Sequence, residues 1–297
     1  MRPDLEDAIR LLERSDDSQA LDQALALLQN TVFSFSMKVC GQRQDAEDTM
    51  QEVLVKSLAH LPKFSSPKAL AVWLYKVAKN HCLMSRRRSK FAPAQELSLE
   101  QLMPDRTELE RLAGSAEVNP ETMAMRTEEA RWLRQAVHKL PPPYRIVLVL
   151  RDMEGLTDQE VAEITGLRTG TVRVRLHRAR LFVRNEVAKQ QTRGIHAIAS
   201  RGEKKIEPPR PASCKAMFAQ LSDYLDEQLD DSLCDELEKH LGDCSPCQAF
   251  LATLQATIEK CRDLPPDHPD KKEAAELRHK LLAEYKSALR ARAAQMR

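Results

Sequence analysis

Apolar residues return every three or four positions along most of this chain, and the pattern breaks in only a few places. Residues 1–90 keep a helical period with few breakers, residues 125–190 resume it, and residues 214–262 form a third helical stretch. Residues 270–297 read as a charged amphipathic tail helix. Between these stretches the period weakens. "FAPAQELSLEQLMPDRTELERLAGSAEVNPET", starting at Phe91, carries three prolines and an acidic bias, so it predicts a linker with room for one short helix. "TRGIHAIASRGEKKIEPPRPAS" is polar and proline-bearing, a second linker. The boundaries that follow are 1–92, 93–124, 125–190, 191–213, 214–262 and 263–297. No internal repeat is visible.

Composition changes this picture little. Glycine is scarce at 8 of 297 residues and aromatics make up 4%, while Ala, Leu, Glu, Arg and Gln are abundant; the expected fold class is all-α. Apolar runs such as "IVLVL" from Ile146 fall far short of the ~20 residues that span a bilayer, and no signal-peptide pattern opens the chain. A soluble, cytoplasmic protein with no membrane partner is expected. Net charge is only +2, but its distribution is uneven. "RRRSK" (86–90) and the stretch from Arg168 to Arg184 are basic without one acidic residue, whereas "DAED" (45–48) and most of 95–129 are acidic. Seven cysteines in a reducing compartment do not predict a static disulfide framework, so their local spacing carries the information.

The stretch "EGLTDQEVAEITGLRTGTVRVRLHRARLFVRNEV" (154–187) is the most informative. Thr157 followed by Glu160 is a capping box that starts a helix at Asp158. Val161, Ala162 and Ile164 face inward, and Gly166 supplies a tight turn. A second helix begins between Thr169 and Thr171. Val172, Leu176, Ala179 and Val183 fall on one face of it, leaving Arg173, Arg175, Arg178 and Arg180 around the rest. A helix anchored by an apolar stripe and carrying arginines suits the DNA major groove, where Arg reads guanine edges and its neighbours hold phosphates. The alternative is an ordinary solvated basic face.

From Leu140 to Arg180 the chain resembles region 4 of the extracytoplasmic-function class of bacterial sigma factors. The family pattern of a Leu-Pro helix start, an apolar helix, "GLT..EVAEI.G" and "GTV..RL.RAR" runs almost unbroken. Residues 45–88 likewise resemble region 2, with "DAED..QEV" and "WL..VA.N.....RRR" in order. The resemblance implies an initiation factor, not an enzyme, with core RNA polymerase and promoter DNA as partners. Asp45, Asp48, Gln51 and Glu52 would face polymerase, over Val53, Leu54 and Leu58 packed inside. The loop "HLPKFSSPKAL" would take a flipped base of the -10 element, with Lys63, Phe64 and Ser65 as candidates. Asn80 would face the non-template strand, and Arg86, Arg87 and Arg88 would neutralise phosphates. Trp73 fits core packing at least as well as DNA contact, since its helix needs an apolar anchor. In region 4, Arg168, Thr171, Arg173, Arg175 and Arg178 would meet the -35 element. The acidic linker reads either as a segment threading polymerase or as a plain tether.

The spacing H-x-x-x-C-x-x-C at His240, Cys244 and Cys247 offers three tetrahedral ligands, because i and i+4 stack on a helix and a C-x-x-C turn returns the second thiolate. Cys234 sits roughly 9 Å up the helix on another face. Cys214 fits better as the fourth ligand: a helical hairpin turning near Asp230 brings Cys214 and Cys244 to one end, while Cys261 stays remote. The module resembles the zinc-binding anti-sigma domain, departing at Gln228, where glycine is common. Structural zinc, a dithiol redox switch and incidental cysteines are the competing readings, and the first two overlap because bound thiolates can be oxidised with metal release. Soft ions other than zinc also suit thiolates.

Such domains usually occupy a separate chain that blocks the polymerase-binding surfaces of a sigma factor. Here a proline-bearing tether fuses the module to the sigma regions, at an effective concentration on the order of mM. The expectation is an intramolecular contact that restrains the sigma domains. Two rivals stand: a module needed for activity or recruiting another regulator, and a helix-turn-helix repressor that never meets polymerase. The tail helix reads either as an extra clasp or as a solvated tail.

Overall fold

In the computed structural model the protein is helical, with no strand among the described residues. These are 3–13, 18–57, 60, 64, 66–87, 96–104, 108, 123–195 and 212–295, with backbone alone for 3, 13, 84–87, 123–127, 191–195, 212–216, 246 and 287–295. The chain divides into two compact units, each assembled from segments far apart in sequence.

The first unit comprises residues 1–93, 149–167 and 265–297. Its centre is α2 (Ser18–Cys40), flanked by α1 (Pro3–Glu13), α3 (Arg43–Ser57) and α4 (Pro67–Arg87). Leu21, Leu25, Leu28, Val32, Phe33 and Phe35 share one broad face of α2 and are all buried, as a helix packed against several others requires. Gly41, at φ 79°, ends α2 by returning its N–H to the Met37 carbonyl, a left-handed stop that glycine makes without steric cost. Phe35 and Tyr75 pack with ring centroids 4.8 Å apart. Cys40 and Cys82 form a disulfide between α2 and α4, their Cα atoms 5.4 Å apart. The sequence predicts no static disulfide framework, and local spacing does not point to this one bond, because packing α2 on α4 brings together two thiols that are distant in sequence.

Residues 149–167 bring a π-helical turn (Val149–Met153) and, further on in chain order, a short helix (Asp158–Thr165) into this unit. The helix starts as anticipated: the Thr157 hydroxyl accepts from Glu160 N–H, and the Glu160 carboxylate accepts from Thr157 N–H at 2.7 Å. Burial works to raise the Glu160 pKa, but the Thr157 N–H and hydroxyl and the nearby Lys68 outweigh it and hold the carboxyl below its usual value. Gly166, at φ 73°, closes the helix. The tail helix (Lys271–Gln295) packs on α2 and α3 through Ala274, Leu281 and Tyr285, all buried. Gln29, fully buried on α2, donates to the Ala274 carbonyl at 3.1 Å and accepts from Arg278 at 2.9 Å. The tail is therefore not simply solvated: one face of it is covered by α2 and α3.

The second unit holds residues 94–148 and 168–264. Its helices in chain order are α5 (Leu99–Leu102), α6 (Met123–Lys139) and α7 (Pro142–Leu148). With the short helix of the first unit counted as α8 (Asp158–Thr165), there follow α9 (Thr169–Ile195), α10 (Ala212–Leu225), α11 (Asp231–Asp243) and α12 (Ser245–Arg262); the tail is α13 (Lys271–Gln295). Buried Arg145 fixes the bend between α6 and α7 by donating to the carbonyls of Val137, His138 and Leu140. A single apolar cluster joins Leu102 of α5 and Leu181 of α9 to Phe218, Leu221, Leu237, Leu241, Phe250, Leu254 and Ile258 of the three following helices. Phe218 and Phe250 meet edge to face at 4.9 Å.

Candidate nucleic-acid interface and metal centre

Helix α9 carries three stripes. Val172, Leu176, Ala179 and Val183 form the apolar one and are fully buried, as their spacing predicts. Arg168 and Thr171 are exposed and Arg175 and Arg178 half-exposed; positions 168, 171, 175 and 178 share one open side at helical spacing. Val174 lies within that open side, half exposed.

The third stripe runs through Arg173, His177, Arg180 and Arg184, and helices α10 and α12 with the turn after α10 engage it. Arg173 Nη2 donates to Gln228 Oε1. His177 Nδ1 lies 2.8 Å from the Ser222 hydroxyl. Arg180 makes a two-pronged pair with Asp226, at 2.7 and 3.0 Å. Arg184 donates from Nε to Thr253 at 3.0 Å, pairs with Glu108 of the acidic linker, and stacks its guanidinium 4.1 Å above the Phe250 ring. Arg180 is thus not on the open surface as expected; a carboxylate with the matching fork geometry takes it into the interior. Burial, then the positive charges of Arg180 and Arg178, pull the His177 pKa down to about 4, so the imidazole is neutral. Sequence reading missed Ser222, Asp226, His177 and Arg184. The available signal was the 173-177-180-184 spacing, a second helix face alongside the apolar one.

On α3, Asp48 and Gln51 are exposed and Asp45 and Glu52 half-exposed, above fully buried Val53 and Leu54; Leu58 lies outside the described residues. Glu52 pairs with Lys56 at 2.8 Å, and that contact holds its carboxyl below the usual range. Half-exposed Val55 adds an apolar spot beside them. Asn80 is exposed on α4. Trp73 is half-buried between His60 and Phe64, with ring centroids 5.0 and 5.7 Å away. This small aromatic group contains Phe64, one of the residues singled out in the sequence, and His60, which sequence reading missed. Lys63, Ser65 and Arg88 lie outside the described residues, as do the side chains of Arg86 and Arg87 at the end of α4.

His240, in the last turn of α11, Cys244, between the two helices, and Cys247, in the first turn of α12, bring their ligand atoms within 4.8 Å of one another. His240 Nε2 and Cys247 Sγ are 3.4 Å apart. Two ligands at ordinary Zn–N and Zn–S lengths, held at a tetrahedral angle, are separated by about 3.5 Å, so the donor set fits the ion in chemistry and in spacing. Cys234 and Cys261 stay outside this group, as anticipated. Cys214 sits on α10, but its side chain lies outside the described residues.

Three family models match the chain: "Sigma-70 region 2" over residues 25–91, "Sigma-70, region 4" over 130–183, and "Putative zinc-finger" over 214–248. Among curated proteins it is similar to the ECF RNA polymerase sigma factor SigW of Bacillus subtilis, 25% identical over 59% of this chain and 92% of that one. It is also similar to the RNA polymerase sigma factor YlaC of the same organism, 30% identical over 54% of this chain and 87% of that one. Among solved structures, the sigma factor RpoE, crystallised with the anti-sigma factor NepR from Bartonella quintana, matches with a TM-score of 0.39 and 19% identity, covering 56% of this chain and 95% of that one. No helix among the described residues is long and apolar enough to cross a membrane.

Proposed function

This chain belongs to the extracytoplasmic-function RNA polymerase sigma factors, and from that premise we propose that its fused zinc-finger module restrains the promoter-reading helix until a signal releases it. The chain is a transcription initiation factor that directs RNA polymerase to promoters, and its relatives are initiation factors rather than enzymes. It acts with polymerase in the cytoplasm. Region 2 binds core polymerase through Asp45, Asp48, Gln51 and Glu52 and opens the -10 element with Lys63, Phe64, Asn80 and Arg86 to Arg88. Region 4 meets the -35 element with Arg168, Thr171, Arg173, Arg175 and Arg178. Cys214 completes a zinc site with His240, Cys244 and Cys247; the ion would join the end of α11 to the start of α12 and so fix the frame that presents Asp226 and Gln228.

One observation supports the restraint above the others: Arg180 and Arg173, of the same basic helix, are held by Asp226 and Gln228 of the module. A carboxylate bidentate on an arginine takes the place that a phosphate would otherwise fill. DNA and module then compete for one helix. Replacing Asp226 by Ala removes the buried carboxylate that pairs with Arg180, a loss on the order of 3–5 kcal/mol that favours undocking. With core polymerase and the full chain, Asp226→Ala is expected to raise promoter-specific transcription at unchanged zinc content. Equal or lower transcription from a folded, zinc-loaded variant would count against restraint.

A second reading has its own support. Leu181 of α9 belongs to the module's apolar cluster, so region 4 draws part of its packing from the module. In that case the module is required for activity, and the Asp226 variant loses transcription.

A further inference from the structure

Glu154 is 2% exposed and is nonetheless the meeting point of two region 2 side chains. Lys38 of α2, itself 4% exposed, donates from Nζ to Glu154 Oε1 at 2.8 Å, and the Tyr75 hydroxyl of α4 donates to Oε2 at 2.7 Å. A second tie lies further along: buried Lys79 donates to the Ile164 carbonyl at 2.7 Å, in the last turn of α8, where helix carbonyls lack intrahelical partners and carry partial negative charge. Lys68 adds a rim pair with Glu160 at 3.4 Å. All the donors sit on region 2. All the acceptors sit in residues 154–164, the part of region 4 that precedes the recognition helix.

Burying an ammonium group is costly, and a hydrophobic residue of similar volume would pack an inert bundle at least as well. Two buried lysines aimed at another segment therefore mark a surface made to dock. Charge pairs also suit reversible docking, because opening returns both charges to water.

We propose that Lys38, Tyr75, Lys79 and Glu154 form a latch that closes region 2 on the start of region 4, and that this latch opens before the factor can hold both promoter elements. The proposal rests on the reading that the two regions take the -10 and -35 elements. Those labels place the elements about 25 base pairs apart, roughly 85 Å of duplex. With the latch shut, the reach is shorter. Region 2 is about 30 Å across, and the roughly fifteen residues from Glu154 to the start of α9, eight of them helical, span at most about 40 Å. A closed chain thus falls short of the second element even when fully drawn out. No residue of the zinc module takes part in these four ties, so this restraint is separate from the module's hold on Arg180.

The test uses the full chain and three variants: Lys38→Glu, Glu154→Lys and the two together. Either single change sets like charges against each other, and the exchange restores an opposite pair. Small-angle scattering should give a larger radius of gyration for both single variants and a near wild-type value for the exchange. Titrated against core polymerase, the single variants should reach half-maximal transcription at about tenfold lower concentration, since more of the population is competent to bind. Should a single variant lose helicity, Glu154→Gln, which keeps the shape and one acceptor, is read in the same way. Helical, zinc-loaded variants with an unchanged radius of gyration would overturn the latch, as would a larger radius with weaker transcription. A missing -35 footprint in the wild-type complex would instead overturn the underlying reading, without touching the scattering result.

Discussion

His177 is neutral because it is buried beside two guanidinium groups, and that has a sign. Its folded pKa of about 4 lies below the ordinary value of 6.5, so between those values the unfolded chain binds more protons than the folded one. The contribution of neutral His177 is complete above the ordinary value and is lost as pH falls through the window. Between about pH 7.5 and about pH 5 the second unit should lose about 2 kcal/mol of stability in urea melts, and His177→Gln, which can still bond Ser222, should flatten that dependence. Glu227 gives a second residue-scale prediction. It holds φ at 55° in the turn between α10 and α11, where a side chain crowds the backbone. Glu227→Gly should therefore raise the melting temperature, by up to about 1 kcal/mol in stability after glycine's added entropy loss. Sequence reading had marked the neighbouring Gln228 as the place where glycine is common; the left-handed residue is one position earlier. The grouping of His240, Cys244 and Cys247 was legible because a helix turn and a C-x-x-C turn are local. Cys40 and Cys82, at a sequence separation of 42, were not, since only the packing of α2 on α4 brings them together.

At the scale of elements, helices were readable wherever caps and stripes agree. Helix α8 begins at the residue its capping box specifies, and α9 buries the four apolar positions its period selects. The partner of the tail helix was not readable, because an amphipathic stripe says that a face is covered but not by what. The structure supplies the cover: Tyr285, 2% exposed, bonds its hydroxyl to that of Ser57, at 3.1 Å, and burial pushes the Tyr285 pKa up. Gln29 adds polar specificity, since its buried amide meets a backbone carbonyl of α13 and Arg278 at once. Losing the hydroxyl in Tyr285→Phe should cost about 1 kcal/mol, whereas Tyr285→Ala, which also empties the site, should cost about 3–5 kcal/mol. Protease sensitivity near residues 265–270 offers the check. Faster cleavage in the alanine variant than in the phenylalanine one would confirm that α13 is held by packing first and by the hydrogen bond second.

Across the whole molecule, each compact unit joins a sigma region to part of the C-terminal third, α13 in the first and α10 to α12 in the second. A chain ending near Gln190 therefore loses the partners of two different regions at once. It removes Gln228 and Asp226 from Arg173 and Arg180, but it also strips Leu181 and Phe182 of the apolar cluster that covers them and uncovers Gln29 and Ser57 on region 2. The physical consequences oppose each other. Freed arginines favour DNA, while newly exposed apolar side chains favour aggregation. Transcription with core polymerase separates these effects when the truncated chain is compared with full-length Cys244→Ser, which removes one thiol of the proposed zinc site but leaves the cluster in place. Restraint predicts that both gain activity, with the truncation less stable. A module needed for activity predicts that both lose it, with the zinc-ligand variant still helical. If Cys244→Ser gains activity and the truncation loses it, the module does both jobs: its metal sets the restraint, and its apolar cluster supports the helix that it restrains.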